Sequence, residues 1–329
     1  MIQNTLCVCA VSAALACGLA DRSEHADPGG EAGEDDGAGE TENGGPGDDE
    51  PGGEDSLLDV GMPDFPGDPS EDEPCKKVDL LFVIDNSGSM GPHQANLIAN
   101  FPGFVDGMKT ELAEAEDYHI GIVTSDAYFE NGDGCTDIGH LVTQTGGPGS
   151  SDSVCAPYST GKRYMDDTEP DLYDKFACAA HVGTRGSSHE APVEAAYQGI
   201  SPGLNAAGAC NEGFVRDDAL LVIVIVTDED DEMATEDCPW CGSEGTPPEW
   251  FDTIVGHKGG IEENVVVIAI VGQGWQQDCT NVLAVNIIEM TEMFTYGIVG
   301  DVCNPSYADF FAETLATIDL ACEGFTPPG

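Results

Sequence analysis

Asp85, Ser87 and Ser89 stand at alternate positions in the stretch Val78-Asp-Leu-Leu-Phe-Val-Ile-Asp-Asn-Ser-Gly-Ser-Met90. Alternate residues of an extended segment turn their side chains to one side, so a single turn can gather one carboxylate and two hydroxyls. Hard oxygen donors of this kind suit a hard divalent cation such as Mg²⁺. That ion takes one or two carboxylates from a protein and completes its shell with neutral oxygens and water. The residues that must position them come just before. Val78 to Ile84 is mostly apolar and β-branched or aromatic, bounded by Lys76-Lys77 on one side and a Gly/Ser turn on the other. It reads as a buried strand of a parallel sheet that delivers Asp85 at its carboxyl end.

From Cys75 onward further apolar strands alternate with helical patterns, which predicts an α/β fold with a doubly wound, mostly parallel central sheet flanked by helices. Strands are expected at Val78 to Ile84, His119 to Thr124, Leu220 to Thr227, Val265 to Val271 and, briefly, Gly297 to Val299. The run Leu220-Leu-Val-Ile-Val-Ile-Val-Thr227 is the most apolar in the chain and must be central. Between the first two strands Leu97, Ile98, Phe101, Phe104, Val105, Met108 and Leu112 share one helical face, and Pro102-Gly103 is expected to kink or split that helix. Later helices are expected at Ser188 to Ile200, Glu249 to His257, Asn281 to Met293 and Tyr307 to Ala321. Long loops fall at 125 to 178, 229 to 248 and 272 to 280.

Asp85-Asn86-Ser87-Gly88-Ser89 resembles the D-x-S-x-S motif of von Willebrand factor A-type (VWA) domains, the first loop of their metal-ion-dependent adhesion site. Two more loops carry the resemblance. Val182-Gly183-Thr184-Arg185-Gly186-Ser187 is similar to the family's second loop, which supplies a Thr. Thr184 is the better match and Ser187 the runner-up. Asp228 holds the position of the strand-end Asp of the third loop, although Glu229-Asp230-Asp231 follows it where the family pattern has Gly. The resemblance covers residues 75–325 and implies strand order 3-2-1-4-5-6, with Asp85 and Asp228 on neighbouring strands where the order reverses. Open α/β sheets bind ligands in that crevice. It further implies Mg²⁺, with Mn²⁺ or Ca²⁺ possible, held by Asp85, Ser87, Ser89, Thr184 and Asp228. A protein or extracellular-matrix partner would supply a carboxylate to the open position. For Ser187 a structural role is preferred, in a capping box with Glu190.

The chain has 329 residues and a formal charge of −52. Residues 75–329 alone carry −33, so nucleic acid and anionic membrane surfaces are poor partners. Residues 1–20 are small and apolar, too short to span a membrane and suited to a signal peptide. Ala14-Leu15-Ala16-Cys17-Gly18 resembles a bacterial lipobox with Cys17 as the lipidated residue, so any membrane contact is expected through that anchor. Residues 21–74 hold 20 acids against Arg22 alone and are rich in Gly and Pro. Such a segment cannot offset its ordering entropy and is expected to be a disordered linker, ~40 Å across as a coil and ~180 Å extended. Residues 326–329 form a tail.

Thirteen cysteines are present, ten of them after residue 74. An even set in the loops of an exported chain argues for disulfides in an oxidising compartment, at the cell surface or outer membrane, or secreted. Cys75 with Cys322 joins the two ends of the domain. Cys135 with Cys155, Cys178 with Cys210 and Cys279 with Cys303 complete one arrangement. Cys303 and Cys322 flank a helix nearly 30 Å long at ~1.5 Å per residue and should not pair with each other. Cys238-Pro239-Trp240-Cys241 is read as a local disulfide, because neither a thioredoxin-like context nor a second pair of zinc ligands adjoins it in sequence. No H-E-x-x-H or P-loop occurs, and Gly199-Ile-Ser-Pro-Gly203 follows a helical pattern where a G-x-S-x-G elbow needs a strand, so no enzyme is expected. The reading is an exported adhesion or ligand-binding protein. The alternative is a structural envelope lipoprotein whose metal site is only stabilising or unused.

Overall fold

The computed structural model describes residues 75–327 apart from 113, 114, 116 and 188. The expected signal peptide, Cys17 and the acidic linker lie outside the described residues. In chain order the elements are β1 (Lys77–Ile84), α1 (Gly91–Glu111), β2 (Asp117–Thr124), β3 (Met165–Asp166), α2 (Leu172–Ala180), α3 (Pro192–Gly199), α4 (Pro202–Asn205), β4 (Leu220–Val226), α5 (Pro247–His257), β5 (Val265–Val271), α6 (Val285–Thr291), β6 (Tyr296–Asp301) and α7 (Ala308–Glu323).

Six strands form one sheet in the order β3-β2-β1-β4-β5-β6, parallel except for the two-residue edge strand β3. This is the order that the resemblance implied. Every residue of β4 and β5 is buried, as strands covered on both faces require. The period of two divides the core in two. Leu80, Phe82 and Ile84 of β1 face a layer built with α1, α2 and α7, while Leu81 and Val83 face α3, α5 and α6. Asp79, the one acid within β1, is buried at the amino end of the strands and accepts from Arg216 Nε at 2.8 Å. It therefore lies at the opposite end of β1 from Asp85.

α1 runs unbroken through Pro102, so the predicted split does not occur. Phe101 stacks on Phe176 of α2 with ring centroids 3.4 Å apart, and Phe104 packs on Phe311 of α7. That packing outweighs the hydrogen bond which the proline removes. The helix expected over Asn281 to Met293 shortens to α6, because the Val282 amide bonds outward to Asp228 O at 2.8 Å and the first residues stay in the loop. β3, α2 and α4 fall in stretches that the sequence left without elements.

Cys75–Cys322, Cys238–Cys241 and Cys279–Cys303 are disulfides, as expected. The other two expected pairs are exchanged: Cys135 joins Cys210 and Cys155 joins Cys178. Cys155 is drawn to α2 because its segment lies along that helix, where Lys175 Nζ donates to Cys155 O at 2.7 Å. Cys135 instead lies beside the turn after α4, where Asn211 reaches across to Leu141 N and Gly139 O. The five bridges among the described residues fit an oxidising compartment. Among the described residues no helix is long and apolar enough to cross a membrane.

Candidate metal centre

β1 and β4 are adjacent and parallel, so Asp85 and Asp228 emerge together from the carboxyl end of the sheet, where the strand order reverses. The turn after β1 closes on itself. The Ser87 amide donates to Asp85 Oδ1 at 2.6 Å, and Ser87 Oγ lies 3.5 Å from Ser89 Oγ. Ser89 Oγ then donates to Asp228 Oδ1 at 3.1 Å. Four of the five residues singled out in the sequence thus form one connected string across two loops. Asp228 Oδ2 is buried and has no hydrogen-bond partner. An orphaned carboxylate oxygen beside two hydroxyls and a second carboxylate is a donor set with the chemistry of a divalent-cation site.

Thr184 stands at the edge of this group. Its methyl would lie 3.6 Å from a Cβ on Gly91, which puts it beside the first loop, but its hydroxyl donates to Pro148 O at 3.3 Å. Ser187 does not build the expected capping box. Its Oγ accepts from the His189 amide, its own amide donates to Asp126 Oδ2, and α3 begins only at Pro192. The proline fixes the start of the helix, and Glu190 is drawn inward instead. Gly186 is where the second loop meets the first: its amide donates to Asn86 O at 2.7 Å, and a Cβ there would come within 2.5 Å of Asn86 Oδ1. Any side chain at 186 would push the two loops apart.

Several positioning residues carry no motif. Gln94, fully buried in the first turn of α1, donates to both Asp85 O and Gly183 O and accepts from Gly183 N, holding the first and second loops together. Thr227 Oγ1 donates to Asp85 Oδ2 at 2.7 Å. Only the place of Thr227 at the end of the most apolar strand could have signalled it. The acidic run after β4 also separates by role. Asp230 accepts from the Asn286 and Ile287 amides at the start of α6. Asp231 accepts from Val193 N in the first turn of α3 and from the amide and hydroxyl of Ser243. Both are helix-end ligands, which leaves Asp228 as the strand-end carboxylate with an unused oxygen.

The electrostatics follow from burial. Desolvation, opposed by the Ser87 and Thr227 bonds, pushes Asp85 up to about 7, and burial raises Asp228 too. Glu190 is buried, accepts from Ser125 Oγ through Oε2 and leaves Oε1 unpaired. Burial first, and then the charge of Asp85, push it well above the carboxylate range. The folded chain therefore keeps a proton that the unfolded chain releases above its ordinary value of 4.5. With a raised folded pKa, the stabilising contribution is complete below pH 4.5 and declines as pH rises. Glu190→Gln is expected to remove that decline. In urea titrations of metal-free protein between pH 5 and 8, its stability relative to the unaltered chain should grow by about 1 kcal/mol per pH unit. A constant difference would mean that Glu190 is already ionised in the fold.

No protein-family model and no curated protein sequence matches the chain. Solved structures do. The chain is similar to proximal thread matrix protein 1 from the mussel byssus, at 15% identity and a TM-score of 0.38, over 76% of this chain and 49% of that one. It is also similar to the pilus adhesin SpaC from Lactobacillus rhamnosus GG in its open conformation, at 13% identity and a TM-score of 0.37, over 75% and 30%. The chain spans about half the length of the first and less than a third of the second.

Proposed function

We propose that this chain is a VWA-type adhesion protein. Asp85, Ser87, Ser89 and Asp228, with Thr184 at the margin, hold a divalent cation, Mg²⁺ by donor chemistry. The cation offers an open position to a carboxylate of a protein or matrix ligand. The observation that carries the reading is Asp228 Oδ2, a buried carboxylate oxygen without a partner, one hydroxyl away from the D-x-S-x-S turn. Two carboxylates and two or three hydroxyls leave such an ion short of a full shell, so water or an outside oxygen completes it. This chain's own part is to fix the donors. Gln94 and Thr227 orient the first loop, and Asp230 and Asp231 anchor the third. The lipid anchor on Cys17 and the acidic linker belong to the same proposal, holding the domain at the cell surface, as does the absence of enzymatic activity.

The test is a calorimetric titration of Mg²⁺ and Mn²⁺ into the full-length oxidised chain at about 0.15 M salt, where diffuse attraction to surface charge is screened beyond ~8 Å. One saturable site, lost in Asp85→Ala and weakened in Ser87→Ala, is expected. Weak multisite binding that is the same in all three proteins would refute the cation site and leave the structural envelope reading.

A further inference from the structure

The sequence offers Cys238-Pro-Trp-Cys241 only as a local bridge, because no second pair of metal ligands lies near it along the chain. The fold supplies that pair. His189, from the segment before α3, and Glu232, from the loop after β4, bring their ligand atoms within 4.8 Å of Cys241 Sγ and of each other. Cys241 is bonded to Cys238, so a second sulfur stands one bond away from this group of three donors.

The backbone holds this arrangement. Ala234 N donates to Ser243 O at 2.9 Å, and both the amide and hydroxyl of Ser243 donate to Asp231, which closes the loop into a pinched ring. At its neck Gly242 lies so close to Glu232 that a Cβ would come within 1.3 Å of Glu232 O. Only glycine lets Cys241 sit beside Glu232. Within the ring Cys238 N donates to Thr235 O at 3.1 Å and Cys241 N to Cys238 O at 3.3 Å, so one tight turn presents both cysteines. His189 is set by its amide, which donates to Ser187 Oγ at 3.0 Å. His189 and Glu232 are exposed, leaving the place open to solvent.

We propose that Cys238 and Cys241, once reduced, form with His189 and Glu232 a zinc site that their disulfide masks. Zinc prefers four such ligands in a tetrahedron, at ~2.3 Å for sulfur and ~2.0–2.2 Å for nitrogen and oxygen. Three of the donors already lie within 4.8 Å of one another, and Cys238, freed from its bond to Cys241, has to turn in as the fourth. A dithiol supplies two electrons and two protons, becoming a disulfide itself, and the Cys238–Cys241 bond opens to two thiols. Zn²⁺ then binds both as thiolates and releases two protons. Cys135, Cys210 and His140 form a similar group of three, but no carboxylate belongs to it and His140 Nδ1 already accepts from Asp137 N. The zinc site ties the segment before α3 to the loop after β4. It uses none of the residues of the Mg²⁺ reading and stands or falls apart from it.

The experiment treats the full-length chain with a dithiol and maps opened cysteines by alkylation and mass spectrometry. Co²⁺ is then titrated as the spectroscopic probe in excess Mg²⁺, and Zn²⁺ is used to displace it. The reduced chain should take up one Co²⁺ with tetrahedral ligand-field bands and a thiolate-to-cobalt charge-transfer band, both absent from the oxidised chain. His189→Ala and Glu232→Gln should each weaken binding by on the order of 10- to 100-fold. Cys238→Ser/Cys241→Ser should abolish it, and Asp85→Ala should leave it unchanged. Zn²⁺ should also slow alkylation of Cys238 and Cys241 in the unaltered chain but not in His189→Ala. That readout is taken cysteine by cysteine, so it holds even where other bridges open. No charge-transfer band, or bands and protection indifferent to His189 and Glu232, would overturn the proposal.

Discussion

Asp228→Ala is expected to lower Mg²⁺ affinity by at least ~100-fold, more than loss of an outer partner of a ligand costs, while leaving the metal-free fold intact. The substitution removes one of two carboxylates from the proposed site, and with it a buried oxygen that no protein group satisfies. The metal-free chain loses only the Ser89 bond. Asp230→Ala and Asp231→Ala provide the contrast. Asp230 binds amides at the start of α6, and Asp231 binds Val193 N and Ser243. Each of these variants should lose ~1–3 kcal/mol of stability, as for a lost helix-end ligand or buried bond, and still bind Mg²⁺. Calorimetry and urea unfolding on the three variants separate the roles. Equal loss of Mg²⁺ binding in all three would mean that the loop acts as a diffuse acidic patch.

Removing the Cys75–Cys322 bridge is expected to cost the most stability of any of the disulfides. It joins residues 247 apart, with Cα atoms 4.8 Å apart, and the Cys75 amide donates to Cys322 O beside it at 2.9 Å. The start of β1 is thereby tied to the end of α7. In the chain-entropy model a loop of this length contributes ~5 kcal/mol, against ~2 kcal/mol for the short ring closed by Cys238 and Cys241. Cys75→Ala/Cys322→Ala should therefore shift the urea midpoint well below that of Cys238→Ala/Cys241→Ala. Equal shifts would show that native contacts rather than loop closure set the contribution.

The sequence by itself determined five of the six strands and which residues stand at their carboxyl ends. The apolar runs leading to Asp85 and Asp228 had to be buried on both faces, and a strand period leaves no freedom about which residue emerges at its end. Asp85, Ser87 and Ser89 needed only alternate spacing. The cysteine count showed that bridges form, and the two ends of the domain showed that Cys75 meets Cys322. What separated two of the other pairs was long-range placement: Cys155 lies along α2 and Cys135 beside the turn after α4, neighbours on which loop spacing carries no information. Tertiary structure alone also decided the roles within Asp228-Glu-Asp-Asp231. Which acid keeps a free oxygen depends on where the starts of α3 and α6 arrive, and those lie 38 and 56 residues from their partners. Gln94 and Thr227 escaped the sequence, and Glu190 was given a capping role that it does not have, for the same reason. A buried polar group is recognised by what it faces, and what it faces is set only when the sheet and helices close around it.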